Sequence, residues 1–196
     1  MPMDDPQLCV PDAAAWRAWL LEHHENPDGV WLALARKGKP GPTTLTYEQA
    51  VEEALCFGWI DGQARGGDGV TRVVRFTRRR ARSMWSQRNV ERVGRLVADG
   101  RMHRAGLAEV ERAKADGRWE AAYDGPASIQ MPEDLAAALA AEPKAKAVFE
   151  KLNSTNRYAV LYRVTTAKRP ETRQRRIEKL VADLARGETP YPQRQA

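Results

Sequence analysis

The segment from Arg75 to Asn89 combines most of the groups in this chain that could bind an anion. It places guanidinium groups, hydroxyls, an indole and an amide directly before a predicted helix. Guanidinium groups bind phosphates and carboxylates through paired hydrogen bonds, and the first N–H groups of a helix attract anions. An indole beside arginine also suits stacking on a base. The residues of this segment that we expect to bind a ligand are Arg75, Thr77, Arg80, Ser83, Trp85, Ser86 and Asn89.

Two further candidates, Trp59 and Asp61, precede this segment. Asp61 lies in an otherwise apolar run, and a buried carboxylate without a partner is costly. Arg75, across a predicted hairpin, is the candidate partner, with the register left open by one residue. If the protein is an enzyme, Asp61 is the candidate general base; no other catalytic residue is identified.

Each of these groups also has a structural interpretation. Ser83 and Ser86 would then serve only as helix caps, Trp85 would only pack, and the arginines would be solvated. Asp61 would pair with an arginine or cap a turn. The coincidence of all these groups immediately before one helix favours a binding site.

Arginines are concentrated in the window 61–95. Ten arginines and three acids give this window a net charge of +7, whereas the whole chain carries +6. A GC-rich genome would explain arginine in place of lysine, but it does not explain the clustering. The enclosed aromatic residues and Asp61 favour a small phosphate- or carboxylate-bearing ligand. A nucleic-acid-binding module and a protein-interaction surface remain alternatives, although no recognised nucleic-acid motif is present.

A second basic group lies near the starts of two predicted helices in the C-terminal half. Asn156 and Arg157 lie near the start of one helix, and Arg173 lies near the start of the next. If these helix ends meet the arginine segment, they complete a cationic pocket. The alternative is a solvated basic face.

Several functional classes lack support in the sequence. His23 and His24 are adjacent, so on a helix they point about 100° apart, and no spaced metal-ligand set exists. We predict no metal and no cofactor, because dinucleotide, P-loop and hydrolase-elbow motifs are missing. No apolar run approaches the length of a membrane helix, so we expect no membrane partner. Two cysteines without a disulfide framework indicate a cytoplasmic location.

The order of the predicted elements indicates an α+β fold. We expect a small antiparallel sheet or β-hairpin with packed helices, followed by a helical C-terminal half. Strands are predicted at Val30–Ala35, Trp59–Arg65 and Val70–Thr77, the last two joined by a glycine-rich turn. The chain is predicted to be a single domain of residues 1–196, with an α+β part (10–100), a helical part (101–188) and a frayed tail (189–196). The oligomeric state is left open, and Trp16, Trp19 and Trp31 are expected in the core.

Several longer motifs resemble a known bacterial family. The run from Leu45 to Gly62, with Arg75–Thr77, Gly100–Met102, Ala113–Trp119, Asn156–Tyr158 and Pro170–Arg173, is similar to the YdeI/OmpD-associated (OmdA-like, bacteriocin-protection) proteins. The resemblance spans roughly residues 10–190. It implies a cytoplasmic, stress- or resistance-linked protein and supplies no catalytic mechanism. The sequence departs from the family pattern at Arg78 and Ala81, where proline is usual, which implies a more flexible and more basic loop.

Overall fold

The computed structural model describes residues 7–193 of the chain, which form four strands and eight helices. Contacts group the residues into two compact units, the first ending at Ala122 and the second beginning at Tyr123. The first unit contains β1 (Gln7–Leu8), α1 (Ala13–His23), β2 (Val30–Ala35), α2 (Tyr47–Cys56), β3 (Trp59–Arg65), β4 (Thr71–Arg78), α3 (Gln87–Ala98) and α4 (Arg104–Ala115). The second contains α5 (Glu133–Ala141), α6 (Pro143–Glu150), α7 (Ser154–Thr165) and α8 (Pro170–Ala185).

The strands of the first unit form one sheet with the order β1-β2-β4-β3. β4 lies between β2 and β3 and is antiparallel to both, whereas the two-residue β1 is parallel to β2. Strands in the N-terminal half and helices in the C-terminal half confirm the predicted α+β class. β1 was not predicted, because a two-residue strand carries no recognisable alternation.

The register of the sheet decides which side chains share a face. Successive side chains of a strand point to opposite faces. Phe76 of β4 meets Trp16 of α1 edge to face, with ring centroids 5.7 Å apart, so it lies on the face that the helices cover. Arg75 pairs with Trp31 of β2 and therefore lies on the other face. Asp61 pairs with Phe76 and so belongs to the helix-covered face.

This register corrects the predicted pairing of Asp61 with Arg75. Asp61 accepts a hydrogen bond from the hydroxyl of Tyr47, at the start of α2, over 2.6 Å. Burial and the nearby Asp61 carboxylate raise the pKa of Tyr47 well above its ordinary value. Tyr47 therefore stays protonated and donates to Asp61 throughout the physiological pH range.

Side-chain caps mark the starts of three helices in the first unit. Asp12 accepts from the main chain at the start of α1, and Ser86 does so at the start of α3. Thr46 and Gln49 form a reciprocal capping box at the start of α2. Each cap satisfies N–H groups that the helix itself cannot pair.

The second unit is built around its own apolar core. Leu135, Phe149, Val160, Ile177 and Leu184 are among its buried side chains. The boundary after Ala122 leaves α4 with the sheet-containing unit. The prediction that the whole chain is a single domain stays a prediction. Tyr191 and Gln193, within the predicted frayed tail, make hydrogen bonds to α7 and its cap, and residues 194–196 lie outside the described residues.

Candidate functional site

A cleft of about 530 Å³ opens at the end of β4 in the first unit. We call it the arginine cleft, because four arginines contribute to its lining. It is lined by Pro27, Asp28, Gly62, Gln63, Arg75, Thr77, Arg78, Arg79 and Arg80. Of the predicted ligand-binding residues, the structure therefore brings Arg75, Thr77 and Arg80 together.

The end of β4 and the loop after it direct these side chains. Arg75 and Thr77 share the sheet face opposite the helices, because they alternate with the buried Phe76. The main-chain N–H of Arg79 donates to Gly58 (3.0 Å), which ends the pairing with β3. The N–H of Arg80 then donates to the hydroxyl of Ser83 (2.9 Å), closing a tight turn.

Two buried guanidinium groups hold the loop that follows. Arg79 is only 5% exposed, and its guanidinium carbon lies 3.5 Å from the ring centroid of Trp85. It also donates to the carbonyl of Met84 (3.1 Å). Arg118, only 6% exposed, donates to the neighbouring carbonyl of Ser83 (2.8 Å). A cation–π contact is strongest when water is excluded, so these contacts hold the loop in a defined conformation.

The arginine cluster of the sequence divides into two groups. On α3, Arg88 and Arg92 pair with Glu48 of α2, and Arg95 lies 3.8 Å from Glu52. These three guanidinium groups therefore have carboxylate partners within the fold. Within residues 7–193, by contrast, neither Arg78 nor Arg80 forms an ion pair; Arg78 donates to the main-chain carbonyl of Glu25.

A second cleft of about 460 Å³ adjoins the first. We call it the tryptophan cleft, because Trp19 and Trp31 line it. Its other lining residues are Gln7, Leu8, Asn26, Asp28, Gly29, Val30 and Arg75. Asp28 and Arg75 line both clefts, so these two residues form the wall between them.

The wall depends on the close approach of one glycine to β4. Arg75 donates to the main-chain carbonyl of Asp28 over 2.7 Å. The next residue, Gly29, has a φ of 72°, and a Cβ there would lie 2.5 Å from the carbonyl oxygen of Phe76. Only glycine fits this approach without strain. The turn before β2 is thereby brought against the end of β4.

The prediction that Trp31 lies in the core is wrong, because its side chain is only half-buried. The guanidinium carbon of Arg65 lies 4.3 Å from its ring centroid, and that of Arg75 lies 5.6 Å away. Trp16 is fully buried, as predicted, and Trp19 packs against it with the rings 5.2 Å apart.

The remaining predicted residues support the site from within the fold. Trp59 is fully buried and donates its indole N–H to the carbonyl of His24 (2.8 Å). Trp85 and Asn89 are also buried, and Asn89 accepts a hydrogen bond from Arg92. Ser83 and Ser86 hold the turn and the start of α3. Neither Trp59 nor Asp61 lines the two clefts.

The secondary candidates Asn156, Arg157 and Arg173 all lie in the second unit. Asn156 is fully buried, and its side chain exchanges hydrogen bonds with the main chain of Tyr191. Arg157 lies over the ring of Phe149, with its guanidinium carbon 4.8 Å from the centroid. These contacts hold the unit itself together.

Arg173 joins three helices of the second unit. Its guanidinium makes a two-pronged contact with the carboxylate of Asp134 in α5, at 2.5 and 2.8 Å. It also donates to the carbonyl of Val164 near the end of α7 (3.0 Å). Arg176, one turn further along α8, donates to the carbonyl of Arg163 (2.6 Å). Two carbonyl groups at the end of α7 are thus paired by arginines of α8.

Sequence reasoning missed Asp28, Gly29 and Arg118. For Asp28 and Gly29 the available signal was a glycine directly after an aspartate, a pair typical of turns. Arg118 acts on Ser83 from 35 positions away, and no local pattern marks such a contact.

The structure offers no resident metal site among residues 7–193, because no three histidine, cysteine or acidic side chains converge there. Among the described helices, none is both long and apolar enough to cross a lipid bilayer. Cys9 and Cys56 are both free thiols, the first exposed and the second buried.

Comparison with protein families assigns the two units to different models. A family model described as Domain of unknown function (DUF8412) matches residues 8–109, more than half of the chain. The chain belongs to this family. The matched DUF8412 region contains every lining residue of both clefts except Gln7.

A second model, described as bacteriocin-protection, YdeI or OmpD-associated, matches residues 128–187. This confirms the predicted resemblance over the second unit. The motifs from Leu45 to Thr77, which had suggested the same family, fall within the DUF8412 match instead. No curated protein and no solved structure gives a significant match to the chain.

Proposed function

We propose that the first unit of this protein binds a small phosphate- or carboxylate-bearing ligand in the arginine cleft. One observation carries the proposal: four arginines line this cleft, and Asp28 is the only acidic residue among its lining residues. Arg78 donates to a main-chain carbonyl, which orients its guanidinium group without neutralising the charge. An anion would supply the missing charge.

The size and lining of the cleft favour a small ligand. A volume of about 530 Å³ lies within the range of small-molecule pockets. The hydroxyl of Thr77 adds a neutral hydrogen-bonding group beside the arginines. Buried Arg79 fixes the start of the loop, so Arg80 is presented by a rigid support, which lowers the entropy lost on binding.

The proposal assigns binding and no reaction. Asp61, the candidate general base, accepts a hydrogen bond from Tyr47 and does not line the cleft. A cytoplasmic location is part of the proposal, because free cysteines are typical of a reducing compartment.

Thermal melting of the purified chain with inorganic phosphate, pyrophosphate and citrate tests the proposal. A ligand at a hundred times its Kd stabilises the folded state by about 2.7 kcal/mol, which for a chain of this size raises the Tm by roughly 5–10 °C. Arg80→Gln should remove most of this shift. Arg88→Gln is the matched control, because Arg88 lies on α3 and pairs with Glu48 of α2.

Equal losses in the two variants would show that only net charge matters, and the site would be rejected. The same conclusion would follow if none of the three anions raised the Tm of the unmodified chain.

Arg80 in the lining of the arginine cleft and Arg82, two positions later, are both exposed, which favours binding of nucleic acid as the second candidate function. Affinity would then fall with salt by roughly one log-log slope unit for each phosphate contacted. Titration of a single-stranded oligonucleotide at two salt concentrations separates the two candidates. A small-ligand site loses little affinity over that range.

A further inference from the structure

The connection between α7 and α8 in the second unit carries cations that the fold itself does not use. Arg157 and Arg173, the predicted basic candidates of this unit, both make contacts that hold it together. Other basic side chains nearby are exposed, and within residues 7–193 they form neither an ion pair nor a hydrogen bond. These are Arg163, Lys168, Arg169 and Arg175, which we call the α7–α8 basic surface.

Few acids of the chain lie close in sequence to these cations. Six basic residues and one acid give residues 163–176 a net charge of +5. The acid, Glu171, lies in the first turn of α8, where the helix N-terminus stabilises a carboxylate. Of the six basic residues, Arg173 is paired with Asp134. The surface therefore keeps a concentrated positive charge, which attracts an anionic partner.

The spread of these cations favours an anionic polymer over a small anion. Arg163 lines a groove, whereas Lys168, Arg169 and Arg175 do not, so the four groups do not converge on one pocket. Cations spread over an exposed surface suit the repeated phosphates of a nucleic acid, because each contact releases a condensed counterion.

An anionic membrane is a less suitable partner for this surface. Membrane binding by a helix at the lipid surface depends on apolar side chains as well as on charge. In the part of the chain that the structure describes, the exposed large hydrophobic residues are Leu21, Val97, Leu107 and Tyr191. None of them belongs to α7 or α8.

A groove between α7 and α8 favours a single strand over a duplex. It has a volume of about 390 Å³, and its lining includes Tyr162, Arg163, Arg176 and Leu180. Arg176 donates to the carbonyl of Arg163 (2.6 Å), which fixes the main chain there. The guanidinium of Arg163 remains available to stack on a base. Only an unpaired base can enter such a groove, because the bases of a duplex are stacked on one another.

We propose that the second unit binds single-stranded nucleic acid, with phosphates on the α7–α8 basic surface and an unpaired base in the groove beside Arg163. The inference does not rest on the proposed function, because the arginine cleft belongs to the first unit. It also differs from the second candidate function, which places nucleic acid on Arg80 and Arg82.

Fluorescence anisotropy of a labelled single-stranded oligonucleotide, titrated with the full chain at several salt concentrations, tests the inference. For a single strand, the logarithm of the affinity falls by about 0.7 per phosphate contacted for each tenfold rise in salt. Contacts from all four cations give a slope of about −3. Combining Arg163→Gln, Arg169→Gln and Arg175→Gln should bring the slope to about −1. The corresponding triple lysine variant keeps the charge and should keep the slope.

A charge-matched control comes from the first unit. Arg80, Arg82 and Arg104 are exposed and form no ion pair among the described residues. Combining Arg80→Gln, Arg82→Gln and Arg104→Gln removes the same net charge and should leave the slope near −3. The triple glutamine variant of the second unit should in turn leave any phosphate-induced rise in Tm unchanged, which shows that it is folded and that the two sites are separate.

Each contrary result overturns the inference in a different way. Equal changes of slope in the two triple glutamine variants would mean that only net charge matters. A change confined to the variant of the first unit would assign the nucleic acid to Arg80 and Arg82. Vesicles of anionic lipid, or polyglutamate, bound as tightly as the oligonucleotide would rule out nucleic acid as the partner. A duplex of equal length bound as tightly as the single strand at the highest salt would rule out the base in the groove.

Discussion

Replacing Gly29 by alanine tests the wall between the two clefts. Gly29 has a φ of 72°, and the left-handed region costs a residue with a Cβ about 1–2 kcal/mol. The new Cβ would also lie 2.5 Å from the carbonyl oxygen of Phe76 and 2.6 Å from the side chain of Thr77. Relieving such a contact costs about 1–3 kcal/mol. We expect the free energy of unfolding to fall by about 2–5 kcal/mol in total.

Gly38→Ala is the matched control for this variant. Gly38 has nearly the same φ, 73°, but nothing lies within 4 Å of the position that a Cβ would occupy. It should lose only the conformational part, about 1–2 kcal/mol. The difference between the two variants isolates the steric contact with β4.

Urea unfolding followed by tryptophan fluorescence measures both variants. All six tryptophans lie before Ala122, so the signal reports on the first unit. Equal destabilisation by the two substitutions would refute the close approach at Gly29, and with it the geometry of the wall. If the reasoning holds, Gly29→Ala also weakens phosphate binding under conditions where the protein remains folded.

Three further substitutions test contacts in each unit. Tyr47→Phe removes the hydroxyl that donates to Asp61 and should cost about 1–2 kcal/mol in the same urea assay, without changing phosphate affinity. Burial lowers the pKa of His103, so its neutral form is favoured in the folded state. Stability of the first unit should therefore fall as the pH drops below about 6.5 and level off below the folded pKa; His103→Gln should remove that slope. Arg173→Met breaks the contact with Asp134 and should cost about 1–3 kcal/mol, measured by far-ultraviolet circular dichroism.

Each of these predictions has its own contradicting result. Arg175→Met is the control for Arg173→Met, because Arg175 is exposed and forms no ion pair among the described residues; equal losses would contradict the role given to Arg173. An unchanged pH slope in His103→Gln would assign the titration to another group. Weaker phosphate binding in Tyr47→Phe would place Asp61 in the ligand site after all.

Local signals in the sequence predicted the elements well. Asp12, Thr46 and Ser86 mark helix starts because a side-chain oxygen there satisfies N–H groups only a few residues away. The glycine-rich turn at 66–69 predicted the β3–β4 hairpin, because glycine readily adopts the positive φ that tight turns require. Such signals act over a few residues, so they do not depend on the rest of the fold.

The composition of the site depended on contacts that no local signal specifies. Trp59 and Trp85 were placed in the ligand site by their proximity to charged residues, but tertiary packing buries both. Arg75 was paired with Asp61, because sequence alone does not determine which face of β4 meets the helices. Asp28 reaches Arg75 across 47 positions. The arginines of the arginine cleft were therefore predictable from the sequence, whereas the contribution of Asp28 to its lining was not.

The arginines that pair the last carbonyls of α7 have a consequence for local opening of the second unit. Without α8, the carbonyl of Arg163 would lose its hydrogen bond from Arg176, and the carbonyl of Val164 would keep only the main-chain N–H of Ala167, so detachment of α8 weakens the last turn of α7. The two helices are expected to open as one cooperative segment. Native-state hydrogen exchange should then show a common opening free energy for the amide hydrogens of both helices. In Arg176→Met, the amide hydrogens of α7 should exchange at a lower opening free energy than those of α8.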